Sequence, residues 1–490
     1  MDVKRRQAGV DQGDLFDEAL KAALCHGVNS EGGAGAETFE APQAPTVWDQ
    51  ERALTRHPME VVSGSANLNR AYKRVKANGG APGVDGMTVE DLRGWIAGHR
   101  EAPIASLLDG SYKPQPVRGV SIPKPGGGER QPGIPTVVDR LVQQAIGQVL
   151  DPILDPMFSD SSFGFRPRRG AHDALRQARE YVADGYEIVV DLDLEKFPRV
   201  WLRQPVGMLL RVNHDILMSR LARRIGDKHL LRIVRRFLQA GMMVDGVCNE
   251  RHEGTPQGGP LSPLLANLLL DDLDKELERR GHRFCRYADD CNIYVRSQAA
   301  GERVMASVTA FLEGKLRLKV NQTKSAVAPA GERRFLGHRL GKGGRLGIGR
   351  KSLARAKDRL RALTGRRRPL PLERMIEEVN RFTTGWVTYY RHAQCQRALR
   401  DLDGWLRRKL RCARLTQCKR MGTVRVFLTK RGVPGGLAKR LASSGKGWWR
   451  LTSTEQAKTA MPNAWFDSLG LVRMVARHAA LNVVGNRRGT

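Results

Sequence analysis

The stretch Arg286-Tyr287-Ala288-Asp289-Asp290-Cys291 places two adjacent carboxylates between residues that favour β-strands. Phe284 precedes the acidic pair and Asn292-Ile293-Tyr294-Val295 follows it, so the pattern predicts two short strands joined at Asp289-Asp290. Neighbouring carboxylates in a turn repel each other, and a hard cation with oxygen ligands, such as Mg²⁺, would offset that repulsion if a third acidic group lay nearby. A solvated Asp-Asp turn is the alternative, and the rest of the sequence decides between the two.

A third acidic group is found at the end of an apolar run from Tyr186 to Leu194. The run predicts a buried strand that delivers Asp193 to its end. If this strand end lies beside Asp289 and Asp290, the three carboxylates have the arrangement that two-metal phosphoryl transfer requires. One ion would activate a primer 3′-hydroxyl, and the other would hold the leaving pyrophosphate.

A glycine-rich turn upstream is flanked by two cations. Val120 to Arg130 reads as a strand, a turn and a returning strand, which brings Lys124 and Arg130 to the same end of a hairpin. The two side chains could clamp a triphosphate there, Arg130 by its bidentate fork and Lys124 as a point charge. An ordinary basic hairpin is the alternative.

Two further loops have compositions suited to close approach by nucleic acid. Ser161 to Gly170 is too basic and too glycine-rich for a core and predicts a segment that follows a nucleic-acid backbone. Its basic residues are Arg166, Arg168 and Arg169. Gly254 to Pro263 opens into a predicted helix, Leu264 to Leu270, and offers Gln257 as its only long polar side chain toward a base pair.

Positive charge is concentrated in the last third of the chain. The formal net charge of the 490 residues is +32, and residues 341–490 contribute 35 Lys and Arg against 8 Asp and Glu. This imbalance predicts binding of a polyanion, because a merely solubilising surface mixes both signs. The sequence has no apolar run of about 18 residues and no apolar signal-peptide core, so we expect no membrane association.

The seven cysteines show no framework spacing. They occupy positions 25, 248, 285, 291, 395, 412 and 418, without a C-x-x-C pair. An odd count of this kind predicts free thiols in a reducing compartment, and we expect a cytoplasmic protein. Zinc is disfavoured because no histidine pair lies near the cysteines at ligand spacing.

In their order along the chain, these motifs resemble the reverse transcriptases encoded within bacterial group II introns, over roughly residues 60–475. The motifs are Lys124…Arg130, Asp193, Pro256-Gln257-Gly258, Tyr287-Ala288-Asp289-Asp290, Leu318-Lys319-Val320-Asn321…Lys324 and Phe335-Leu336-Gly337. The resemblance implies an α+β fold: a right-hand polymerase with fingers, a palm built on an antiparallel sheet and a helical thumb, followed by a mainly helical, basic maturase domain. It also implies an RNA-directed DNA polymerase and maturase that copies intron RNA into DNA at a target primer and assists splicing.

The resemblance assigns roles to individual residues. Asp193, Asp289 and Asp290 would hold two Mg²⁺ ions, with the backbone of Leu194 near the incoming nucleotide. Lys124 and Arg130 would grip the phosphates of a deoxynucleoside triphosphate, Gln257 would contact the nascent pair, Lys324 would lie near the leaving group, and Gly337 would support the primer strand. The expected partners are group II intron RNA, target DNA and deoxynucleoside triphosphates.

One departure from the family pattern follows Asp193. The family has a Phe-Asp pair where this chain has the thirteen residues Pro198 to Leu210. The resemblance places the lost Phe under the sugar of the incoming nucleotide, so Phe197 or Pro198 would have to take its place. Pro198 also restricts the backbone beside the strand. Two hypotheses follow: an active polymerase that is also a maturase, or an RNA-binding splicing maturase whose polymerase activity the insertion has abolished. The maturase-like segment disfavours a third, a general cellular polymerase.

The resemblance also predicts the domain order. We expect a flexible leader (1–56), fingers and palm (57–340, with the insertion at 198–210), the start of the thumb (341–370), a thumb and maturase region that binds RNA (371–475) and a tail (476–490) without an endonuclease domain. The thumb is predicted to begin with a basic helix from Lys351 to Arg368. The candidate RNA-binding residues of the C-terminal part are Arg391, Arg407, Arg408, Lys409, Arg411, Lys419 and Arg420.

Overall fold

The computed structural model describes residues 58–123, 129–130, 132–194, 213–244, 247–249, 258–366 and 368–486. The predicted leader and the insertion 198–210 lie outside these ranges. The described residues form two compact units. The first extends to Ala178 and resumes from Ile188 to Val327, and the second comprises Arg179–Glu187 and the chain from Ala328 onward.

The strands are short and belong to several sheets. In chain order they are β1 (Val117–Gly119), β2 (Ile122–Pro123), β3 (Glu129–Arg130), β4 (Gly133–Ile134), β5 (Ile188–Leu192), β6 (Met242–Val244), β7 (Val247–Asn249), β8 (Arg283–Tyr287), β9 (Asp290–Val295), β10 (Ala326–Pro329), β11 (His338–Gly341) and β12 (Arg345–Ile348). Two sheets have four strands, in the orders β10-β5-β9-β8 and β4-β1-β6-β7. The pairs β2-β3 and β11-β12 are separate hairpins.

Helices make up most of the remaining chain. In order, the α-helices are Pro58–Ser63, Ser65–Asn78, Leu92–His99, Glu101–Leu108, Val137–Leu154, Ala171–Ala183, His214–Ala222, Lys228–Gln239, Ser262–Arg279, Gln298–Phe311, Arg350–Leu363, Leu372–Tyr389, Gln396–Gln417, Met421–Lys430, Gly435–Ala442, Trp448–Leu451, Glu455–Ala460, Asn463–Ser468 and Met474–Asn486. Strands lie mainly in the first unit and helices dominate the second, so the α+β class expected from the sequence is confirmed.

The sheet β10-β5-β9-β8 carries the acidic motifs. β5 and β9 are antiparallel, with Leu192 opposite Cys291, and β8 and β9 form the hairpin expected from the sequence. Val190 and Ile293 face each other in this pairing and are fully buried, because one face of the sheet closes the core of the first unit. Burying such apolar side chains stabilises the strand order, since each contributes about 1.5–3 kcal/mol.

The helix Val137–Leu154 lies in the core of the first unit. Thr136 caps its start by accepting a hydrogen bond from the backbone N–H of Asp139, as N-cap threonines do. The helix packs against Ser65–Asn78, where Asn67 donates from Nδ2 to the carbonyl of Ala145 at 3.1 Å. A buried amide needs such a partner, so this contact also fixes how the two helices meet.

In the second unit, the first basic helix is shorter than expected. It was predicted to extend to Arg368, but it ends at Leu363. Thr364 donates from Oγ1 to the carbonyl of Leu360 at 2.7 Å, and Arg368 pairs instead with Glu378. The apolar faces of the helices that follow, including Leu372–Tyr389 and Gln396–Gln417, form a separate core.

Candidate active site

The acidic pair lies at a tight turn between β8 and β9. Tyr287 and Asp290 are the last residues paired across the hairpin, so Ala288 and Asp289 form the turn itself. Ala288 has a φ of 57°, which is left-handed and costs a residue with a side chain about 1–2 kcal/mol. The surrounding structure must therefore hold this turn, and with it the direction of both carboxylates.

Asp193 lies at the neighbouring strand end. The last pair of β5 and β9 is Leu192 with Cys291, so Asp193 follows at the edge of the sheet to which Asp290 belongs. Its backbone is held by a segment that follows the helix Gln298–Phe311: the amide of Asn321 donates to its carbonyl at 2.8 Å, and the Ser325 hydroxyl accepts from its N–H at 3.0 Å. Leu194 continues this contact as an antiparallel bridge to Val320.

Lys324 is brought to the predicted carboxylate. Its Nζ lies 3.3 Å from Oδ2 of Asp193, and the two side chains are 58% and 29% exposed. The lysine is therefore available both to the carboxylate and to a charged group arriving from solvent. A side-chain contact thus brings together two of the predicted site residues, Asp193 and Lys324.

The donors suit a hard divalent cation. Asp193, Asp289 and Asp290 offer carboxylate oxygens on adjacent strand ends, and such oxygens are the ligands that Mg²⁺ prefers. Within the described part of the chain, however, no three His, Cys, Asp or Glu side chains are arranged to hold a metal ion together. The metal assignment therefore stays a prediction.

A cavity of about 860 Å³ opens beside Asp289, within the size range of small-molecule sites. Its lining includes Phe165, Ala288 and Gly258, the residue that follows the predicted base-pair contact Gln257. Gly258 has a φ of 121°, and a Cβ there would lie 2.6 Å from the carbonyl oxygen of Gly133. The loop can therefore adopt this path only with glycine.

Several predicted nucleotide contacts lie outside the described residues or side chains. Lys124, Phe197 and Gln257 fall in ranges that the structure does not describe. Arg130 is part of β3, opposite Ile122, so the predicted hairpin is present, but its side chain is not described. The roles of these four residues stay predictions.

The prediction that Arg166 contacts nucleic acid is wrong. Its side chain is 3% exposed; Nε donates to Asp155 at 2.7 Å, and Nη1 donates to the carbonyls of Ser159 and Ser162. Its positive charge is thus used to close a loop of the protein itself. Arg168 is exposed, while Arg169 pairs with Asp160.

A buried ion pair beneath the turn was not predicted from the sequence. Arg286 and Asp274 are 1% and 0% exposed. Burial alone would lower the pKa of Arg286, but the charge and hydrogen bonds of Asp274 outweigh that effect and raise it. Two features of the sequence could have indicated the pair. Arg286 lies inside a strand with buried neighbours, and Asp274 lies on the leucine-rich face of the helix Ser262–Arg279.

Basic and aromatic side chains interleave in the second unit, as the sequence suggested. The Arg408 guanidinium lies 4.0 Å from the ring centre of Trp449 and donates to its carbonyl at 2.7 Å. Lys409 lies near the same ring, and Arg411 donates to the carbonyl of Met461. The structure leaves Lys419 and Arg420 exposed and Arg391 and Arg407 partly so.

Gly337 lies in a tight turn of the second unit. Its φ is 78°, and a Cβ there would lie 2.8 Å from the hydroxyl oxygen of Tyr390. Its carbonyl accepts from the amide of Gly349 and the hydroxyl of Ser352, each at 3.0 Å. These contacts explain why glycine is required, and the predicted contact with a primer strand stays a prediction.

An antiparallel sheet whose strand ends carry carboxylates beside an open cavity is the palm of a right-hand nucleic-acid polymerase. The model of the family "Reverse transcriptase (RNA-dependent DNA polymerase)" matches residues 122–340, and that of "Group II intron, maturase-specific domain" matches residues 353–432. The chain therefore belongs to the group II intron reverse transcriptases and maturases, a family of RNA-directed DNA polymerases. The two matched domains imply that the chain binds nucleic acid.

Several known proteins are similar to parts of this chain. Protein YkfC of Escherichia coli K12 is 31% identical over 298 residues, which cover 53% of this chain and 75% of YkfC. Group II intron-encoded protein LtrA of Lactococcus lactis subsp. cremoris is 35% identical over 206 residues, 42% of this chain and 32% of LtrA. A solved telomerase from Candida albicans aligns over 62% of this chain and 60% of its own, with 13% identity and a TM-score of 0.36.

No helix among the described residues is both long and apolar enough to cross a membrane. The five cysteines whose side chains are described form no disulfide bond with one another and are buried. Burial raises the pKa of the Cys395 thiol to about 11, so this group stays protonated near neutral pH.

Proposed function

We propose that this chain synthesises DNA on an RNA template by two-metal nucleotidyl transfer, with Asp193, Asp289 and Asp290 as ligands of two Mg²⁺ ions. The observation that carries the proposal is the position of Asp193 at the end of β5, next to the strand that begins at Asp290, with Lys324 at 3.3 Å. The match of residues 122–340 to reverse transcriptases supports the same reaction.

The chain's own groups would orient the reactants. When bound, the metal ions would supply activation of the primer 3′-hydroxyl and stabilisation of the leaving pyrophosphate. The backbone of Asp193 is held by Asn321 and Ser325, which fixes the point from which its side chain extends. Lys324 would place positive charge beside the departing phosphates, and the cavity next to Asp289 would receive the nascent base pair.

The proposed substrates follow from the two matched domains. We propose that the second unit binds the intron RNA and assists its splicing, and that the first copies this RNA into DNA from a primer on target DNA with deoxynucleoside triphosphates. Both steps would take place in the cytoplasm of a bacterial cell. The basic, aromatic-rich helices of residues 353–432 support the RNA-binding part of the proposal.

Primer extension on an RNA template with Mg²⁺ and deoxynucleotides tests the reaction. We expect wild-type protein to extend the primer and Asp289→Ala to lose at least about 100-fold of that activity, because changes around a bound metal already cost 10–100-fold. Asp272→Asn is the control, since this partly exposed carboxylate pairs with Arg220; it should extend normally. Equal activity of Asp289→Ala and wild type would contradict the proposal.

A third variant, in which residues 198–210 are replaced by Phe-Asp, tests the insertion. Wild-type activity at the level of this variant would show that the insertion is tolerated. Activity in the repaired variant alone would show that the palm is sound but blocked, and the protein would then be an RNA-binding maturase without polymerase activity.

A further inference from the structure

The guanidinium of Arg286 is buried directly beneath the turn that carries the two aspartates. Nε donates to Asp274 Oδ1 at 2.7 Å and to Oδ2 at 3.0 Å, and Nη2 donates to Oδ2 at 2.5 Å. Both side chains are inaccessible to solvent. A buried charge is costly unless all its donors have partners, so the acceptors of the other N–H groups matter as much as the ion pair.

Those acceptors come from three different parts of the first unit. Nη1 donates to Asn267 Oδ1 at 2.9 Å and to the carbonyl of Ala288 at 3.0 Å, and Nη2 donates to Ser162 Oγ at 2.8 Å. Together with Asp274, they satisfy all five N–H groups of the guanidinium. The planar fork thus joins a helix, a loop and the turn at one point.

The bond to Ala288 acts on the active site itself. Ala288 has a left-handed backbone, which a residue with a side chain rarely adopts without support. Its carbonyl belongs to the peptide that leads into Asp289, so the direction of that peptide sets where both carboxylates emerge. Arg286 holds this carbonyl from two residues earlier in the chain.

The same network also holds a second segment, Ser161 to Gly164, in contact with the turn. The backbone N–H of Arg286 donates to the carbonyl of Ser161 at 2.8 Å, and the carbonyl of Arg286 accepts from the backbone N–H of Phe163 at 2.9 Å. Asn267 donates from Nδ2 to the carbonyl of Gly164 at 2.8 Å. A Cβ on Gly164 would lie 2.3 Å from the amide nitrogen of Ala288, so the turn and this segment are in direct contact.

We propose that Arg286, held by Asp274, Asn267 and Ser162, is a positioning residue that sets the direction of the Ala288-Asp289 turn so that the carboxylates are placed to bind metal ions. A buried ion pair alone is weak evidence for such a role, because apolar residues of the same shape often stabilise a core equally well. An apolar replacement could not donate to the Ala288 carbonyl. The inference rests on the proposed function, to which it adds residues that touch neither metal nor substrate.

Arg286→Lys separates positioning from charge. Lysine keeps the positive charge beside Asp274, but its single nitrogen cannot span all the acceptors of the planar fork. The matched control is Arg220→Lys, because Arg220 also donates from Nε and Nη2 to an aspartate of the helix Ser262–Arg279, Asp272, at 2.8 and 2.6 Å. Both variants are first checked for folding by circular dichroism and thermal melting.

Two readouts are then compared with wild type. Electron paramagnetic resonance of added Mn²⁺, with Asp289→Ala as the reference for abolished binding, should show affinity lowered about tenfold in Arg286→Lys, the scale of changes behind metal ligands. Steady-state primer extension should show kcat lowered about 10–100-fold, as for small misplacements of reacting groups, with a smaller change in KM. Arg220→Lys should match wild type in both.

Ser162→Ala provides a second test, since it keeps the ion pair and removes one acceptor. It should weaken Mn²⁺ binding in the same direction by a smaller factor, and it decides the question if Arg286→Lys does not fold. Wild-type Mn²⁺ affinity and kcat in the folded variants, or equal losses in Arg220→Lys, would overturn the inference. If wild type makes no DNA, the proposed function fails, and the Mn²⁺ comparison alone still decides whether Arg286 positions the carboxylates.

Discussion

The ammonium group of Lys324 lies 3.3 Å from Asp193, although the lysine side chain is 58% exposed. An exposed pair of this kind contributes about 1 kcal/mol or less to stability, so its removal should leave the fold intact. Charge placed where a reaction develops negative charge has a larger effect, about 10²–10³-fold in kcat for one electrostatic contact. We therefore expect the position of Lys324 to matter mainly for catalysis.

We expect Lys324→Ala to lower kcat of primer extension about 100-fold, with little change in melting temperature. Lys324→Arg should retain part of the activity because it keeps the charge. Lys275→Ala is the control, since Lys275 is also half exposed and paired, with Glu278. A kcat for Lys324→Ala within the range of that control would show that the lysine does not act on the leaving group.

The direction in which a single arginine side chain points could not be predicted from the sequence. The loop Ser161 to Gly170 has the composition of a nucleic-acid contact, yet Arg166 turns inward to Asp155. Composition reports which groups are present but not which side of the chain they face, and a buried partner eleven residues earlier leaves no local pattern. The full set of partners of Arg286 could not be read from the sequence for a related reason, because it includes Ser162, which lies 124 residues earlier in the chain.

At the scale of elements, local patterns sufficed for the palm. Alternating β-formers around Asp289-Asp290 and the apolar run before Asp193 predicted β8, β9 and β5, because each strand is defined by its own residues. The pairing of β1 with β6 is parallel and joins Val117 to Met242. Such a pairing depends on everything folded between the two strands, so no local signal could have predicted it.

The start of the helix Val137–Leu154 should make stability depend on pH. Burial raises the pKa of Asp139 from its ordinary value of 3.8 to about 6, although Thr136 and Tyr112 donate hydrogen bonds to it. A carboxyl whose folded-state pKa is raised stabilises the fold fully below its unfolded pKa and loses that contribution as pH rises through about 6. The loss is about 3 kcal/mol by pH 7.

Asp139→Asn should remove this dependence. We expect the free energy of unfolding of the variant to increase relative to that of wild type as pH rises through about 6, because only wild type loses stability there. Urea unfolding at about pH 5 and pH 7.5 measures the difference. A difference that stays constant between these two pH values would show that Asp139 is ionised to the same extent in the folded and unfolded chain.

The charge of the whole molecule is divided unequally along the chain. Residues 1–340 carry 48 Lys and Arg against 43 Asp and Glu, whereas the remainder carries 35 against 8. Part of the basic excess is already engaged within the second unit, as with Arg408 on Trp449 and Arg368 on Glu378. The exposed remainder is what a polyanion would meet, so RNA affinity should depend on a subset of the cations.

Lys419 and Arg420 belong to that exposed subset. We expect the double variant Lys419→Ala, Arg420→Ala to bind intron RNA more weakly and to reduce the slope of log affinity against log salt by about 0.7–0.9 for each phosphate that the protein no longer neutralises. Arg374→Ala is the matched control in the same unit, because Arg374 is paired with Glu377. Filter binding across a salt series measures both slopes.

This measurement needs no polymerase activity, so it tests the second unit whichever way the insertion acts. If the double variant and Arg374→Ala have the same slope as wild type, the basic surface around residue 419 does not contact RNA. A reduced slope in the double variant alone would place the RNA backbone at this surface. It would also show that a formal net charge of +32 overstates the number of cations that RNA can reach.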